Sequence, residues 1–323
     1  MKIISLLSIA LAAAVAHAAP AVSAEPYPSA PIRLVVPFAA GGQTDVMARL
    51  LAEHMGKSLG QSLVVENIGG AGGTIGATKV AQARPDGYTL LFGTVGTQVV
   101  NQFTIASLPY KADTAFTPIA EVATASAVIV ANPRFEASTL AELIALAKRK
   151  PGEIQYTTPG IGTSGHLAME LVEYTAGIDM VAIPYKGGAP ATTDLIAGHM
   201  MLGVDGLPGQ RAQIQSGGLK ALGVSSIARD PAAPNVPAIS ETLPGFEATA
   251  WFALFGPAKL PSDVVGKLNA AANAALADPA LAAKYKELGI TVAGGTAQAL
   301  ADLLARETTK WEQVVKSAGI TAN

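Results

Sequence analysis

Two glycine-rich stretches carry most of the side chains that could do chemistry. Pro37-Phe38-Ala39-Ala40-Gly41-Gly42-Gln43-Thr44-Asp45 follows a β-branched apolar run, and Thr158-Pro159-Gly160-Ile161-Gly162-Thr163-Ser164-Gly165-His166 follows Ile154 to Thr157. Each reads as the turn from a strand into an amphipathic helix. Such a junction aims unpaired helix N–H groups and the positive end of the helix dipole at whatever lies in the loop, which suits a carboxylate. Asp45 is weighed evenly between a first-turn carboxylate answering the dipole and a ligand contact.

Other chemistries fit less well. Ser164 and His166 lack the G-x-S-x-G elbow of hydrolases, and on one helix turn the imidazole is not a positioned base for the hydroxyl, so capping by Thr163 or Ser164 is preferred to a Ser-His nucleophile. His54, His166 and His199 show no metal-ligand spacing, and no metal is expected. The loop Gly69 to Gly76 imitates a dinucleotide fingerprint. Its spacing (Gly70, Gly72, Gly76) is unusual and the strand Thr89 to Thr94 ends without an acidic residue for a ribose, so no cofactor is expected there and close backbone packing or an interlobe contact is favoured. Lys186 could attract an anion, while Tyr185, Phe38 and Trp251 suit either a pocket wall or the core.

The elements that must hold these loops are strands alternating with helices. Leu34 to Pro37, Leu63 to Glu66 and Tyr88 to Phe92 read as strands, with helices from Asp45 to about Leu59 and from the Gly69 to Gly76 loop to about Ala83, which implies a mostly parallel sheet covered on both faces. Ala127 to Val130 reads as a crossover into a second lobe built on the same unit, and Ala248 to Phe255 as the strand that returns. The chain from Ser262 reads as mostly helical and is expected to pack on the first lobe. The expectation is a two-lobed α/β fold of the periplasmic-binding-protein kind with a two-stranded hinge. Lobe 1 would hold residues 25–125 and 250–323, and lobe 2 residues 126–249.

Composition narrows the function. Met1 to Ala24 has one early lysine, an apolar run from Ile3 to Val15 and small residues before two candidate cleavage points, after Ala18 or, preferred, after Ala24. It reads as a secretory signal peptide. The mature chain is expected to be soluble, since no other uncharged stretch approaches the roughly 20 residues of a membrane span. There is no cysteine, which excludes disulfides and a lipid anchor. The 22 basic residues against 24 acidic ones form no basic block, so nucleic acid is not an expected partner.

The same residues resemble a known family. Pro37 to Asp45 is similar to the P-F-x-x-G-G-x-x-D signature of the Bug-type periplasmic solute-binding proteins of tripartite tricarboxylate transporters. The similarity continues through Val65-Glu66-Asn67, Asp86-Gly87-Tyr88-Thr89-Leu90, Thr158 to Leu167, Pro184-Tyr185-Lys186-Gly187-Gly188 and Leu219 to Val224. The resemblance implies a non-enzymatic, monomeric receptor, not lipid-anchored, whose lobes close over a small organic acid or amino acid and deliver it to membrane permease subunits or to a sensor protein. It implies ligand contacts from Phe38, Ala39, Gly41, Gly42 and Asp45 in one loop and Thr158, Gly162, Thr163, Ser164 and His166 in the other, with Tyr185, Lys186 and Gly187 nearby. Thr97 and Asp205, in loops that depart from the family's usual pattern, would face the distal end of the ligand. A mono- or dicarboxylate, an amino acid or an amide all remain open, and Asp45 and Asp205 would suit an ammonium group.

Overall fold

The computed structural model describes residues 27–38, 40–185 and 187–319. The expected signal peptide and the side chains of Ala39 and Lys186 lie outside the described residues.

The first lobe begins with β1 (Ile32–Val36), α1 (Gln43–Leu59), β2 (Leu63–Asn67), α2 (Thr74–Ala81) and β3 (Thr89–Thr94). β1 is paired in parallel with β2 on one side and β3 on the other, and its central residues are buried, as befits a strand covered on both faces. α1 buries Met47, Ala48, Leu51, Ala52 and Met55, a helical stripe, and stops at Gly60, whose φ of 66° is the left-handed conformation that ends helices. After β3 the chain makes a π-helical turn, Gly96–Val100, that runs into α3 (Asn101–Thr104), and then β4 (Phe116–Ala125).

The second lobe contains β5 (Ala127–Ala131), α4 (Leu140–Arg149), β6 (Gln155–Thr158), α5 (Ser164–Ala176), β7 (Val181–Pro184), α6 (Gly188–Ala197), β8 (Leu202–Gly206), α7 (Leu207–Gln215) and β9 (Lys220–Val224). The chain then returns through β10 (Ala250–Pro257), α8 (Ser262–Leu276), α9 (Pro279–Glu287), β11 (Thr291–Val292) and α10 (Ala297–Ala318).

The sheets have the orders β11-β4-β10-β3-β1-β2 and β7-β6-β8-β5-β9. The two-lobed α/β architecture is as expected, but both sheets are mixed where mostly parallel ones were expected. β10 runs antiparallel to β3 and β4, and β5 antiparallel to β8 and β9. The reason is the chain path, because the strands that carry the chain between lobes enter each sheet from the end opposite to the βαβ units.

Only Ser126 separates β4 from β5. Its hydroxyl donates to Asp230 Oδ2 at 2.6 Å and its carbonyl accepts the Leu207 N–H at 2.8 Å. The return crossing is tied down where the Ala248 N–H donates to the Ser225 carbonyl at 3.0 Å, just before β10. The C-terminal helices do more than cover the first lobe. α8 packs on α1 and β4, whereas α10 packs on β4, on the π-helical turn and on α5 of the second lobe. Trp311, Val314 and Val315 of α10 share one apolar core with Leu167, Leu171 and Val172 of α5.

Candidate functional site

Both glycine loops sit at the carboxyl ends of parallel strands, and the fold turns them toward one cleft between the sheets. The cavity there has a volume of about 750 Å³. Phe38, Gln43 and Thr44 line it from the first loop, Ile161, Gly162, Thr163 and Ser164 from the second, and Thr94, Asn101, Trp251 and Phe252 close its floor. None of the lining side chains is charged. A second concavity, of about 780 Å³, lies at the amino ends of β1 to β3. Its charged groups are paired with one another, Arg33 with Glu66 at 3.1 Å and Arg84 with Asp86 at 3.5 Å, so it offers no free charge to a ligand.

The first loop is braced from behind. Asp45 is buried, and its Oδ2 accepts the Gly41 N–H at 2.9 Å and Arg49 Nε at 3.0 Å, while Oδ1 accepts Asn67 Nδ2 at 2.9 Å. Asn67 Nδ2 also donates to the Phe38 carbonyl at 3.2 Å. Burial alone would raise the Asp45 pKa, but the hydrogen bonds from Arg49, Gly41 and Asn67 outweigh it and hold the carboxyl below its ordinary range. Both oxygens of this carboxylate are engaged in holding the loop, the structural one of the two roles weighed for Asp45 from the sequence. Gly41 has φ 81°, and a Cβ there would meet nothing within 4 Å. Its requirement is the backbone conformation alone. With Gly42 as N-cap and no capping side chain, the first amides of α1 have no partner within the helix.

The second loop repeats this arrangement with other chemistry. Thr163 caps α5, its hydroxyl accepting the His166 N–H at 3.4 Å and donating to the Gly160 carbonyl at 2.8 Å. Thr158 Oγ1 also donates to that carbonyl, at 3.3 Å. Gly162, φ 77°, again with open space around a would-be Cβ, donates its N–H to Nδ1 of the buried His166 at 3.4 Å. The other ring nitrogen, Nε2, lies 3.3 Å from Glu170 Oε1, which also accepts the Tyr156 hydroxyl at 3.3 Å. Burial depresses the His166 pKa to about 4, so the ring is neutral, with Nδ1 the acceptor and Nε2–H the donor. Both ring nitrogens are thus engaged away from Ser164, and the hydroxyl and imidazole form no nucleophile-base pair. Farther back Glu173 is pushed up to about 8 by burial. Its Oε2 accepts the Met180 N–H at 2.7 Å and its Oε1 is buried without a partner.

Thr97, Tyr185, Gly187 and Asp205 lie outside the cavity wall. Thr97 is fully buried, its hydroxyl donating to the Thr94 carbonyl and accepting the Thr94 N–H, so Thr94 lines the cleft in its place. Tyr185 donates its hydroxyl to Asp194 Oδ2 at 2.6 Å, and Gly187 N–H donates to the Pro159 carbonyl at 3.0 Å, a bond that ties the β7 edge to the second loop. Asp205 accepts from the Gly206 N–H at 2.7 Å and from Gln210 Nε2 at 2.9 Å, and burial raises its pKa.

Several lining residues were not singled out from the sequence. Ala71 and Gly72 bring the Gly69 to Gly76 loop to the cleft, where the lack of a side chain at Gly73 and Gly76 lets it press against Pro37. Asn101 holds that loop by donating from Nδ2 to the Gly72 carbonyl at 3.1 Å and to Thr74 Oγ1 at 3.3 Å. Trp251, which the sequence left between pocket wall and core, lines the cleft and is fixed by Glu307 of α10, whose Oε2 accepts the indole N–H of Trp251 at 3.3 Å and that of Trp311 at 2.9 Å. The unusual glycine spacing was the available signal for the first group; the π-helical turn that presents Asn101 had none. Among the described residues there is no group of three or more His, Cys, Asp or Glu able to hold a metal, and no helix long and apolar enough to cross a membrane.

Comparison with known proteins gives the family and the fold. The profile of the tripartite tricarboxylate transporter family receptors matches residues 47–320. The solved structure of the periplasmic binding protein BugD is 37% identical, with a TM-score of 0.76 over 92% of this chain and 100% of that one. Rpa4515 of R. palustris, solved with adipate, is 34% identical, with a TM-score of 0.79 over 91% and 99% of the two chains. MatC from Rhodopseudomonas palustris, solved with bound malate, is 34% identical, with a TM-score of 0.76 over 90% and 100%.

Proposed function

This chain belongs to the tripartite tricarboxylate transporter receptor family, a family of non-enzymatic solute-binding receptors, and from that premise we propose that it captures a small carboxylate between its lobes in the periplasm. Relatives solved with adipate and with malate support the ligand class. The observation that carries the reading is the pairing of two helix N-termini, those of α1 and α5, across one uncharged cleft. Several amide donors on rigid loops bind one anion through charge-assisted bonds without a buried cation.

The mechanism is closure. Residues 25–125 with 250–323 and residues 126–249 move as two bodies about the crossings at Ser126 and before β10, and a ligand touching both loops favours the closed state by the contacts it makes only there. Phe38, Gly162, Thr163 and Ser164 meet the ligand, while Asp45, Thr158 and His166 hold the loops in shape. After removal of residues 1–24 the receptor acts as a monomer that hands its ligand to the permease subunits of a tripartite transporter.

A thermal-shift screen of ligand-stripped protein from Glu25 onward, against small carboxylates and their amides, tests the reading. A carboxylate present at about 100 times its Kd should add roughly 2.7 kcal/mol of stability. Stabilisation by amides or amines and by no carboxylate would overturn it.

A further inference from the structure

The glycine amide that opens each loop is caught four residues later by a side chain of the following helix, Gly41 by Asp45 in the first lobe and Gly162 by His166 in the second. The two glycines share nearly the same left-handed φ, 81° and 77°, and both stand in open space. We infer that His166 is a positioning residue for ligand binding, the counterpart in lobe 2 of Asp45 in lobe 1, and acts by catching the Gly162 amide rather than by touching the ligand. The inference rests on the proposed carboxylate-receptor function and assigns within it which groups bind and which hold.

The physical argument starts from donors. In α5 the Leu167 N–H is taken by the Thr163 carbonyl and the His166 N–H by the Thr163 hydroxyl. The amides of Ser164 and Gly165 have no partner within the helix and are the donors left for an anion. For them to face the cleft, the turn from Gly160 to Thr163 must be held against them, because a loop rich in glycine otherwise samples many conformations. Thr163 fixes one end of that turn through the Gly160 carbonyl. His166 fixes the other end through the Gly162 amide. The imidazole can do so only as an acceptor at Nδ1. Glu170 selects that tautomer by taking the proton side of the ring at Nε2, and Tyr156 from β6 steadies Glu170. The series Gly162, His166, Glu170, Tyr156 therefore runs from the cleft into the core of the second lobe, and each member has its neighbour as hydrogen-bond partner.

Amide exchange and binding together test this. Exchange at Gly162 and Gly41 would be followed by NMR in the wild-type protein, in His166→Asn, whose Oδ1 can stand where Nδ1 stands, and in His166→Leu, which fills the space without an acceptor. Adipate and malate serve as binding probes. The expected result is that His166→Leu speeds Gly162 exchange by about tenfold or more and weakens the bound probe by about tenfold, with Gly41 unaffected, while His166→Asn restores both. Glu170→Ala should give an intermediate effect, since it frees the tautomer but leaves the ring. Unchanged Gly162 exchange in His166→Leu overturns the inference. So does lost binding in His166→Asn with Gly162 still protected, which would make the imidazole itself a ligand contact. If neither probe binds the wild-type protein, the carboxylate reading loses its support, and the exchange measurement still decides whether His166 holds the loop.

Discussion

The two loops that line the cleft share a backbone plan and differ in the chemistry that enforces it. In the first lobe the brace is an ionised carboxylate, Asp45, held below its ordinary pKa and tied to Arg49, Asn67 and the Gly41 amide. In the second it is a neutral imidazole, His166, whose charged form is suppressed by burial, backed by carboxyl groups that burial also pushes toward neutrality. A fold that needs one conformation twice has built it once from charge and once from desolvated neutral groups. The two solutions should therefore fail under different conditions.

Removing a brace outright should separate them most. Asp45→Ala leaves Arg49, Asn67 and the Gly41 amide without their common acceptor, and breaking a buried charged network costs about 3 to 5 kcal/mol; Arg49 is half exposed and can turn to water, so a loss near the lower end is expected. Asp45→Asn should cost roughly 1 to 3 kcal/mol, since a donor replaces one acceptor oxygen. Chemical denaturation of both variants reads these values directly. Equal stability of Asp45→Ala and wild type would remove the bracing role.

Acid sharpens the contrast. His166 has a folded pKa of about 4 against an ordinary 6.5, so the unfolded chain binds more protons between those values and stability falls as pH drops from 6.5 toward 4, by at most roughly 3 kcal/mol. The groups facing the ring and its partners, Glu170 and Glu173 on α5, Tyr156 on β6 and the nearby Asp179, shape the size of that loss. Asp45 behaves otherwise. Its folded pKa is lowered from 3.8, so its contribution is complete above that value and is lost only as pH falls below it. Midpoints measured from pH 7 to pH 4 should decline more steeply for the wild type than for His166→Asn. Parallel curves would mean that the imidazole does not report on the second loop. Glu173, raised to about 8, has the opposite sign and costs stability as pH rises from 4.5 to 8; Glu173→Gln should flatten that limb.

How much of this was legible in the sequence follows the range of the interactions. The loops were readable because strand, glycines and helix are neighbours in the chain, and the left-handed φ of Gly41 and Gly162 is a local demand that glycine meets. The Gly69 to Gly76 loop could be read as close packing or an interlobe contact, since the contacts of Gly73 and Gly76 with Pro37 need residues without side chains. The roles of Asp45 and His166 were not separable from ligand contact, because nothing local says whether an oxygen or a ring nitrogen turns toward the cleft or back toward its own glycine. β4 escaped notice because its alternation is broken by Pro118 and its register against β10 slips. Trp251 was ambiguous for a longer-range reason. Its partner, Glu307, stands 56 residues away on α10.

The finest distinction between the loops concerns the first residue of each helix, Gln43 in α1 and Ser164 in α5. Both line the cavity and both follow the cap residue. Gln43 is exposed and its amide group has water on the open side, whereas Ser164 is half-buried beside the uncharged wall. A hydrogen bond exchanged for water contributes little, and one made to an anion in a partly desolvated cleft contributes more. Ser164→Ala should therefore weaken carboxylate binding by roughly 1 to 3 kcal/mol, and Gln43→Ala by less than about 1 kcal/mol, with little change in stability for either. Calorimetric titration with the best ligand of the thermal screen measures both. A larger loss at Gln43 would mean that lobe 1 supplies the dominant side-chain contact and that the burial around Ser164 serves the fold instead of the ligand.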